Sequence, residues 1–377
     1  MSSRPDKRDQ TIQQLLRPLR AHLEQINVTE LTINRPGEVW TKTCEGWTRH
    51  EVTELNVPYL HSLATALIVY NHIEPKSVVS VILPDGQRGQ IVQPPACIEG
   101  SLSLNIRKHA PTVKDLEELE AEGAFVHVSD VSFNKPNRNE AKAYLKHPDF
   151  RRLEAFEVDL LELKRENRIV DFLHQAVLAK RNMVIAGKTG SGKTTFARSL
   201  IEKVPTHERL ITIEDVHELS LAHHPNRVHM LYGYGPGRIT ADECLASCMR
   251  QSPDRIFLAE LRGNEAWEYL NSLNTGHPGS ITTVHANNAL QTFERISTLI
   301  KKSEVGRGLD MEMIKRVLYT TLDVVLYFKD RKLTEIFYDP IYSKDFMNSG
   351  RRPSGEPEER IIIRDAGRIP QGNAAET

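Results

Sequence analysis

The stretch GKTGSGKT, Gly187 to Thr194, follows the apolar run Met183-Val184-Ile185-Ala186 and precedes Thr195-Phe196-Ala197-Arg198-Ser199-Leu200. A short apolar run, a glycine-rich turn and a helix-forming run read as strand, loop and helix. In that context the GxxxxGK[ST] spacing describes a loop that wraps phosphate. Gly187, Gly190 and Gly192 let the backbone close so that its N–H groups point inward, and the following helix presents its positive end to the same anion. Lys193 is placed to reach the β- and γ-phosphates, and the Thr194 hydroxyl to hold Mg2+. Gly187, Lys188, Thr189, Gly190, Ser191, Gly192, Lys193, Thr194 and Thr195 are thus the candidate contacts of a nucleoside triphosphate.

Around this loop, from about residue 168, helical and strand patterns alternate: IVDFLHQAVLAK, NMVIAG, KTTFARSLIEKV, RLITIED, then TADECLASCMRQ, RIFLAEL, NEAWEYLNSLN, SITTVHA and NALQTFERISTLIKK. Strands without period-2 polarity predict a largely parallel sheet covered on both faces, with functional groups at the carboxyl ends of its strands. Two acids end such strands. Glu260 closes RIFLAE, where it can hold Mg2+ directly or through water; Glu214 closes RLITIE, with Asp215 beside it and Glu218 a turn further on. Water activation and metal binding fall to these two carboxylates, and Glu214 is favoured as the base. In GHPGSITTVHAN, His277 lies on a Gly-flanked turn, while His285 ends a strand where it can sense a γ-phosphate. Lys193, Glu214, Glu260 and His285 form the candidate catalytic set. The cluster His223, His224 and His229 lacks the spacing of a zinc site and reads as a surface loop.

The N-terminal third has a different texture. Residues 11–24 place Ile12, Leu15, Leu16, Leu19 and Leu23 on one helical face, which Pro18 kinks or splits. VTELTIN, EVWTKTCEGWTRHEV, SVVSVILP, QRGQIVQPP and SLSLNIRK read as strands, with a helix over 58–73. These make a small mixed α+β domain over 1–130. A charged, Pro-punctuated linker over 131–165, with some local helix, joins it to the α/β domain over 166–345, which ends in a hairpin around Lys329-Asp330-Arg331, and 346–377 has the composition of a disordered tail.

The bulk composition is that of a globular protein: 377 residues, 39% hydrophobic, 26% charged, formal net charge −1. That charge gives no sign of a nucleic-acid channel, so direct nucleic-acid binding is not expected. No apolar run approaches the ~20 residues of a membrane span, and the polar N-terminus lacks a secretory core, which predicts a cytoplasmic chain. Cys44, Cys97, Cys244 and Cys248 have no CxxC spacing and read as free, buried thiols.

The ordered set GKTGSGKT, ITIEDVHEL, RIFLAELRG and GHPGSITTVHAN resembles the Walker A, Asp, Walker B and His boxes of the secretion traffic ATPases. VTELTINRPGEVW and the stretch from GQRGQIVQPP to LSLNIRK resemble the N-terminal domain of their type IV secretion branch, related to the type II secretion and pilus-retraction motors. The resemblance covers roughly residues 10–335. It implies a RecA-like ATP- and Mg2+-dependent domain behind an N-terminal domain. It also implies a homo-hexamer bound peripherally at the cytoplasmic face of the bacterial inner membrane, working with other secretion ATPases and inner-membrane channel subunits. In that family N-terminal arginines reach the nucleotide between the domains; Arg88 and Arg107 match them. Before Pro253-Asp254-Arg255 the family often carries a second arginine, where this chain has Gln251-Ser252 after Arg250. The source of an arginine acting across a subunit boundary therefore stays open, as does any exchange of domains through the linker.

Overall fold

Pro18 decides how the chain begins. The computed structural model describes residues 7–43, 45–108, 113–149, 151–233 and 238–349. In it α1 (Lys7–Leu15) gives way at Leu16 to α2 (Arg17–Leu23), with Pro18 in the first turn of the second helix, where its missing N–H removes no hydrogen bond. An antiparallel sheet follows, formed by β1 (Glu30–Ile33), β2 (Glu38–Thr43), β3 (Gly46–Glu51), β4 (Val78–Ile82), β5 (Arg88–Val92) and β6 (Ser103–Arg107), with α3 (Val57–Tyr70) inserted before β4. Its spatial order is β3-β2-β1-β6-β5-β4.

Alternation gives this sheet one dry face. Leu31, Ile33, Ile91, Leu104 and Ile106 pack with Leu19, Leu60, Leu63 and Leu67 of the helices. The intervening residues of β5 and β6 take the opposite face, and because Arg88 pairs with Arg107 in register, the two arginines stand side by side there.

The packing boundary falls earlier than the expected domain limit at 130. The first core runs to Ile106, whereas Leu116 and Phe125 already pack with Ile185 and Phe196 of the second. The expected linker holds more packed helix than a connection needs. After α4 (Leu116–Ala121) and β7 (Ser129–Asp130), it carries α5 (Arg138–Tyr144) and α6 (Ala155–Arg165), and Ala141, Leu153, Val158 and Leu161 join the second core. Charge hides these helices from an apolar-periodicity reading. Their starts were nevertheless written in the sequence as capping boxes, Asp115/Glu118, Asn137/Glu140 and Glu154/Glu157. Lys164 fixes α6 from beneath, its buried ammonium donating to Asp130 (3.0 Å), the Ser132 hydroxyl (2.7 Å) and the Tyr338 carbonyl (2.7 Å).

The remaining elements are α7 (Ile169–Leu178), β8 (Met183–Gly187), α8 (Lys193–Ile201), β9 (Leu210–Glu214), β10 (Arg227–Leu231), α9 (Ala241–Cys248), β11 (Arg255–Leu258), α10 (Glu265–Asn274), β12 (Ile281–Val284), α11 (Ala289–Lys302), α12 (Met311–Thr321), β13 (Val324–Lys329), β14 (Lys332–Tyr338) and α13 (Pro340–Ser349). The strands form two leaves, β10-β9-β11 and β12-β8-β13-β14-β7. All pairs are parallel except the hairpin β13–β14, whose two-residue turn puts Asp330 and Arg331 at positive φ. The leaves meet at β11 and β12. There the Leu261 N–H reaches the Thr283 carbonyl (2.8 Å), the Thr283 hydroxyl the Ala259 carbonyl (2.8 Å), and the Ser280 hydroxyl the Ile256 carbonyl.

Along β8, Met183 and Ile185 face one core while Val184 and Ala186 face the other. A strand covered on both sides gains about 1.5–3 kcal/mol from each large apolar side chain, whichever way it points, which is why β8 shows no alternation. Residues 346–349 of the expected tail are helical, since α13 runs to Ser349, and Phe346 is buried. Residues from 350 onward lie outside the described part, as does Cys44. Cys244 and Cys248 are buried free thiols, the latter pushed up to about 12 by burial, and Cys97 is a half-buried free thiol.

Candidate nucleotide site

The loop after β8 is shaped by what surrounds it. Gly187 has φ +155°, and a Cβ there would stand 2.4 Å from the Phe328 carbonyl oxygen and 2.6 Å from the Ser191 hydroxyl, so no other residue fits. The tip of the β13–β14 hairpin backs the loop, the Arg331 N–H donating to the Ser191 carbonyl (3.1 Å); nothing in the motif spacing pointed to this support. Gly192, at φ +97°, caps α8 without a side-chain acceptor. The first-turn N–H groups of α8 are therefore left for an anion. The Ser191 hydroxyl is buried and finds no hydrogen-bond partner among the described residues. Unmade donors around a glycine cradle fit a bound phosphate chain.

Lys193 is buried, and its Nζ donates to the carbonyls of Gly187 (2.9 Å) and Lys188 (2.9 Å) while standing 3.4 Å from His285 Nδ1. Burial lowers its pKa to about 8, opposed by the Glu260 charge and assisted by that of Arg107. Thr194 and Thr195 follow it in the first turn, half-buried. Exposed Lys188 and Thr189 line, with His285, Asn287, Gln291 and Arg295, a cavity of about 600 Å³ beside the loop.

The two acidic strand ends have different surroundings. Glu260 has one oxygen 3.0 Å from His285 Nε2 and accepts from Arg262 Nη2 (2.8 Å) on the other. His285 Nδ1 faces both the Lys193 ammonium (3.4 Å) and the Gly187 carbonyl (3.2 Å), so its role as acceptor or donor depends on the tautomer. Glu214 is fully buried. The Thr212 hydroxyl (2.9 Å) and His217 Nδ1 (3.2 Å) address its Oε1, and the N–H groups of Glu218 and Leu219 (2.7 Å each) its Oε2. Burial works against its charge, yet the His217 ring, the two N–H groups and the Thr212 hydroxyl together hold its pKa below the usual carboxylate value. The expectation that Glu214 is the base meets a physical objection here: it is fully buried with four donors on its two oxygens, whereas Glu260, though contacted on both oxygens, is partly exposed to solvent.

Arg88 crosses between the two cores, with Nη2 2.8 Å from both Asp215 and Glu218. Asp215 also takes Arg262 (2.5 Å), so Arg88, Asp215, Arg262, Glu260 and His285 form one continuous chain of charged contacts ending beside Lys193. Sequence reading missed Arg262, although it sits in the ELRG that follows Glu260. Arg107 pairs with Glu30 (3.3 Å), and its charge reaches Lys193. Arg250 is exposed.

The histidines need correction. Of the cluster read as a surface loop, only His223 is exposed, paired with Glu202 (2.6 Å). His224 is fully buried against the Val204 carbonyl (2.9 Å), and His229 lies within β10, its Nδ1 2.8 Å from the Thr212 hydroxyl and 3.8 Å from Glu214. His277 bonds the Pro253 carbonyl (3.0 Å) before β12, at the opposite end of that strand from His285.

A phosphate loop and strand-end acids at the carboxyl edge of a doubly covered parallel sheet, behind an antiparallel domain that sends arginines toward them, define a P-loop ATPase with an accessory N-terminal domain. Residues 136–329 match the family described as Type II/IV secretion system protein. Relatives similar over most of the chain include the type IV secretion system protein VirB11 of Brucella suis (40% identity, covering 89% of this chain and 92% of the relative). Another is PtlH of Bordetella pertussis (36% identity, 84% and 89%). The chain belongs to this secretion ATPase family. Among solved structures, the Brucella suis VirB11 ATPase in complex with sulphate aligns at TM-score 0.50 with 39% identity, covering 90% of this chain and 98% of that one. The Legionella pneumophila ATPase DotB shares the fold (TM-score 0.53, 16% identity, 94% and 91%).

Proposed function

We propose that this chain hydrolyses ATP with Mg2+ as a homo-hexamer at the cytoplasmic face of a bacterial inner membrane, energising substrate translocation or pilus assembly by a type IV secretion system. Its partners would be the other ATPases and the inner-membrane channel subunits of that machine. Relatives named as type IV secretion proteins over nearly the whole chain support the setting. Among the described residues no helix is long and apolar enough to cross a membrane, which accords with attachment through partners.

The observation that carries the catalytic reading is the position of the Lys193 ammonium. It rests on the carbonyls of its own loop, with Glu260 and His285 beside it. ATP offers phosphate oxygens in place of those carbonyls, a stronger, charge-assisted set of acceptors. Lys193 then stabilises charge on the transferring phosphoryl group, helped by the N–H groups of α8 and the Ser191 hydroxyl. The Thr194 hydroxyl would hold Mg2+, with Glu260 behind a water; when bound, the ion neutralises phosphate charge. Glu260 is the carboxylate that takes the proton of the attacking water, held in aim by His285 and Arg262. Glu214 acts through structure, fixing the turn that carries Asp215 and Glu218. Release of the γ-phosphate alters the charge that Arg107 and the Arg88 chain face, and the N-terminal domain moves relative to the ATPase domain.

The test is Mg2+-ATP turnover by the purified chain, with and without single-stranded DNA, against Lys193→Ala. The expected result is turnover that DNA does not change and that Lys193→Ala abolishes, while the hexamer persists in the mutant. Strong, salt-sensitive stimulation by DNA would instead indicate a nucleic-acid motor.

A further inference from the structure

Beside the nucleotide site, three side chains converge that the catalytic reading does not use: Glu214, His217 and His229 each bring one ligand atom within 4.8 Å of the others, and the Nδ1 atoms of His217 and His229 lie 3.2 and 3.8 Å from Glu214 Oε1. The fold brings them together by register. Thr212 and Glu214 share a face of β9, and His229 pairs with Thr212 across the parallel ladder to β10. His217 comes from the turn after β9, and its ring centroid lies 4.3 Å from that of His229.

The outer contacts are those of a fixed ligand set. The N–H groups of Glu218 and Leu219 hold Glu214 Oε2 (2.7 Å each), which leaves Oε1 turned to the histidines. The Thr212 hydroxyl lies 2.9 Å from that oxygen and 2.8 Å from His229 Nδ1. His217 is half exposed and opens the site to solvent. Two imidazole nitrogens and one carboxylate oxygen suit borderline transition ions such as Zn2+ and Co2+, with a further position left for water. Mg2+ prefers oxygen ligands in octahedral array and is poorly served here.

We propose that Glu214, His217 and His229 form a three-ligand site for a divalent transition-metal ion of the zinc class, distinct from the Mg2+ that accompanies ATP. The site goes beyond the ATPase reading and does not depend on it. A bound ion would tie the turn carrying His217 to β10. That turn also holds Asp215 and Glu218, the partners of Arg88, so metal occupancy would stiffen the contact between the two domains.

The experiment uses the full-length protein, stripped of metal by a chelator and titrated with Co2+ without nucleotide. Zn2+ affinity is then measured by competition with a chromogenic chelator. The wild type should develop the visible absorption band of a four- or five-coordinate Co2+ site, which Zn2+ erases. His217→Ala and His229→Ala should each lose the band and weaken Zn2+ binding by more than about tenfold, while His223→Ala should keep both. His217 is half exposed, so its variant reports on ligation even if His229→Ala fails to fold. No band in the wild type overturns the proposal, as does a band that survives His217→Ala or one that disappears in His223→Ala.

Discussion

Lys193 carries the sharpest consequence at the scale of a single side chain. Burial brings its pKa to about 8 in the nucleotide-free protein, and kcat/KM reports the free enzyme. The expected profile of kcat/KM for ATP therefore falls as pH rises through about 8, where the ammonium loses its charge. Bound phosphate favours the charged form, so kcat should stay level to higher pH. A kcat/KM profile without that alkaline limb would count against the assigned role. The two acids separate just as clearly. Glu214→Gln deprives buried N–H groups of a charged acceptor and should lower stability by about 1–3 kcal/mol, read from the denaturant midpoint. Glu260→Gln should bind ATP, lose turnover by about a hundredfold or more, and be the less destabilised of the pair; the reverse pattern would return the base to Glu214. The positions of Glu214, Glu260 and His285 at strand ends were legible, because an acid or histidine closing an apolar run stands out in any sequence. Their division of labour was not. It depends on donors such as the Leu219 N–H and the His217 ring, whose direction only the folded turn sets.

Among elements, β11 shows how a strand is anchored at its other end. Arg255, nearly inaccessible, is bidentate to Glu208 (2.7 and 3.1 Å) and donates to the Val177 carbonyl (2.8 Å), tying the start of β11 to the end of α7. Removing one partner strands a buried charge, so Arg255→Ala should cost about 3–5 kcal/mol. Arg255→Met combined with Glu208→Leu should recover most of that loss in the same denaturation measurement, since packed apolar side chains need no counter-charge. The strand–loop–helix order of β8, its loop and α8 followed directly from apolar length and glycine placement. Some local helix was expected over 131–165, but α4, α5 and α6 were not placed, because charged residues are about as frequent along them as apolar ones, although capping boxes marked their starts. The support that the β13–β14 hairpin gives the loop joins residues over 130 positions apart in the chain, a distance at which local patterns carry no information.

For the molecule as a whole, the question is how the two cores communicate. The Arg88 contacts to Asp215 and Glu218 join the antiparallel sheet to the turn after β9, and through Arg262 to Glu260. If that chain transmits the state of the nucleotide, Arg88→Ala and Asp215→Asn should be non-additive in kcat/KM. The expected coupling is about 1 kcal/mol, modest because both side chains are partly solvated; additive effects would show that the contact is passive. The boundary between the leaves of the ATPase sheet carries a mechanical meaning of its own. Like the cleavage plane of a crystal, the line between β11 and β12 is where the sheet parts most readily, crossed by hydroxyl bridges in place of a full ladder. Glu260 and His285 occupy opposite lips of that line, 3.0 Å apart. A nucleotide that tightens or loosens their contact thus works on the sheet as a wedge does, at the place where least force opens it.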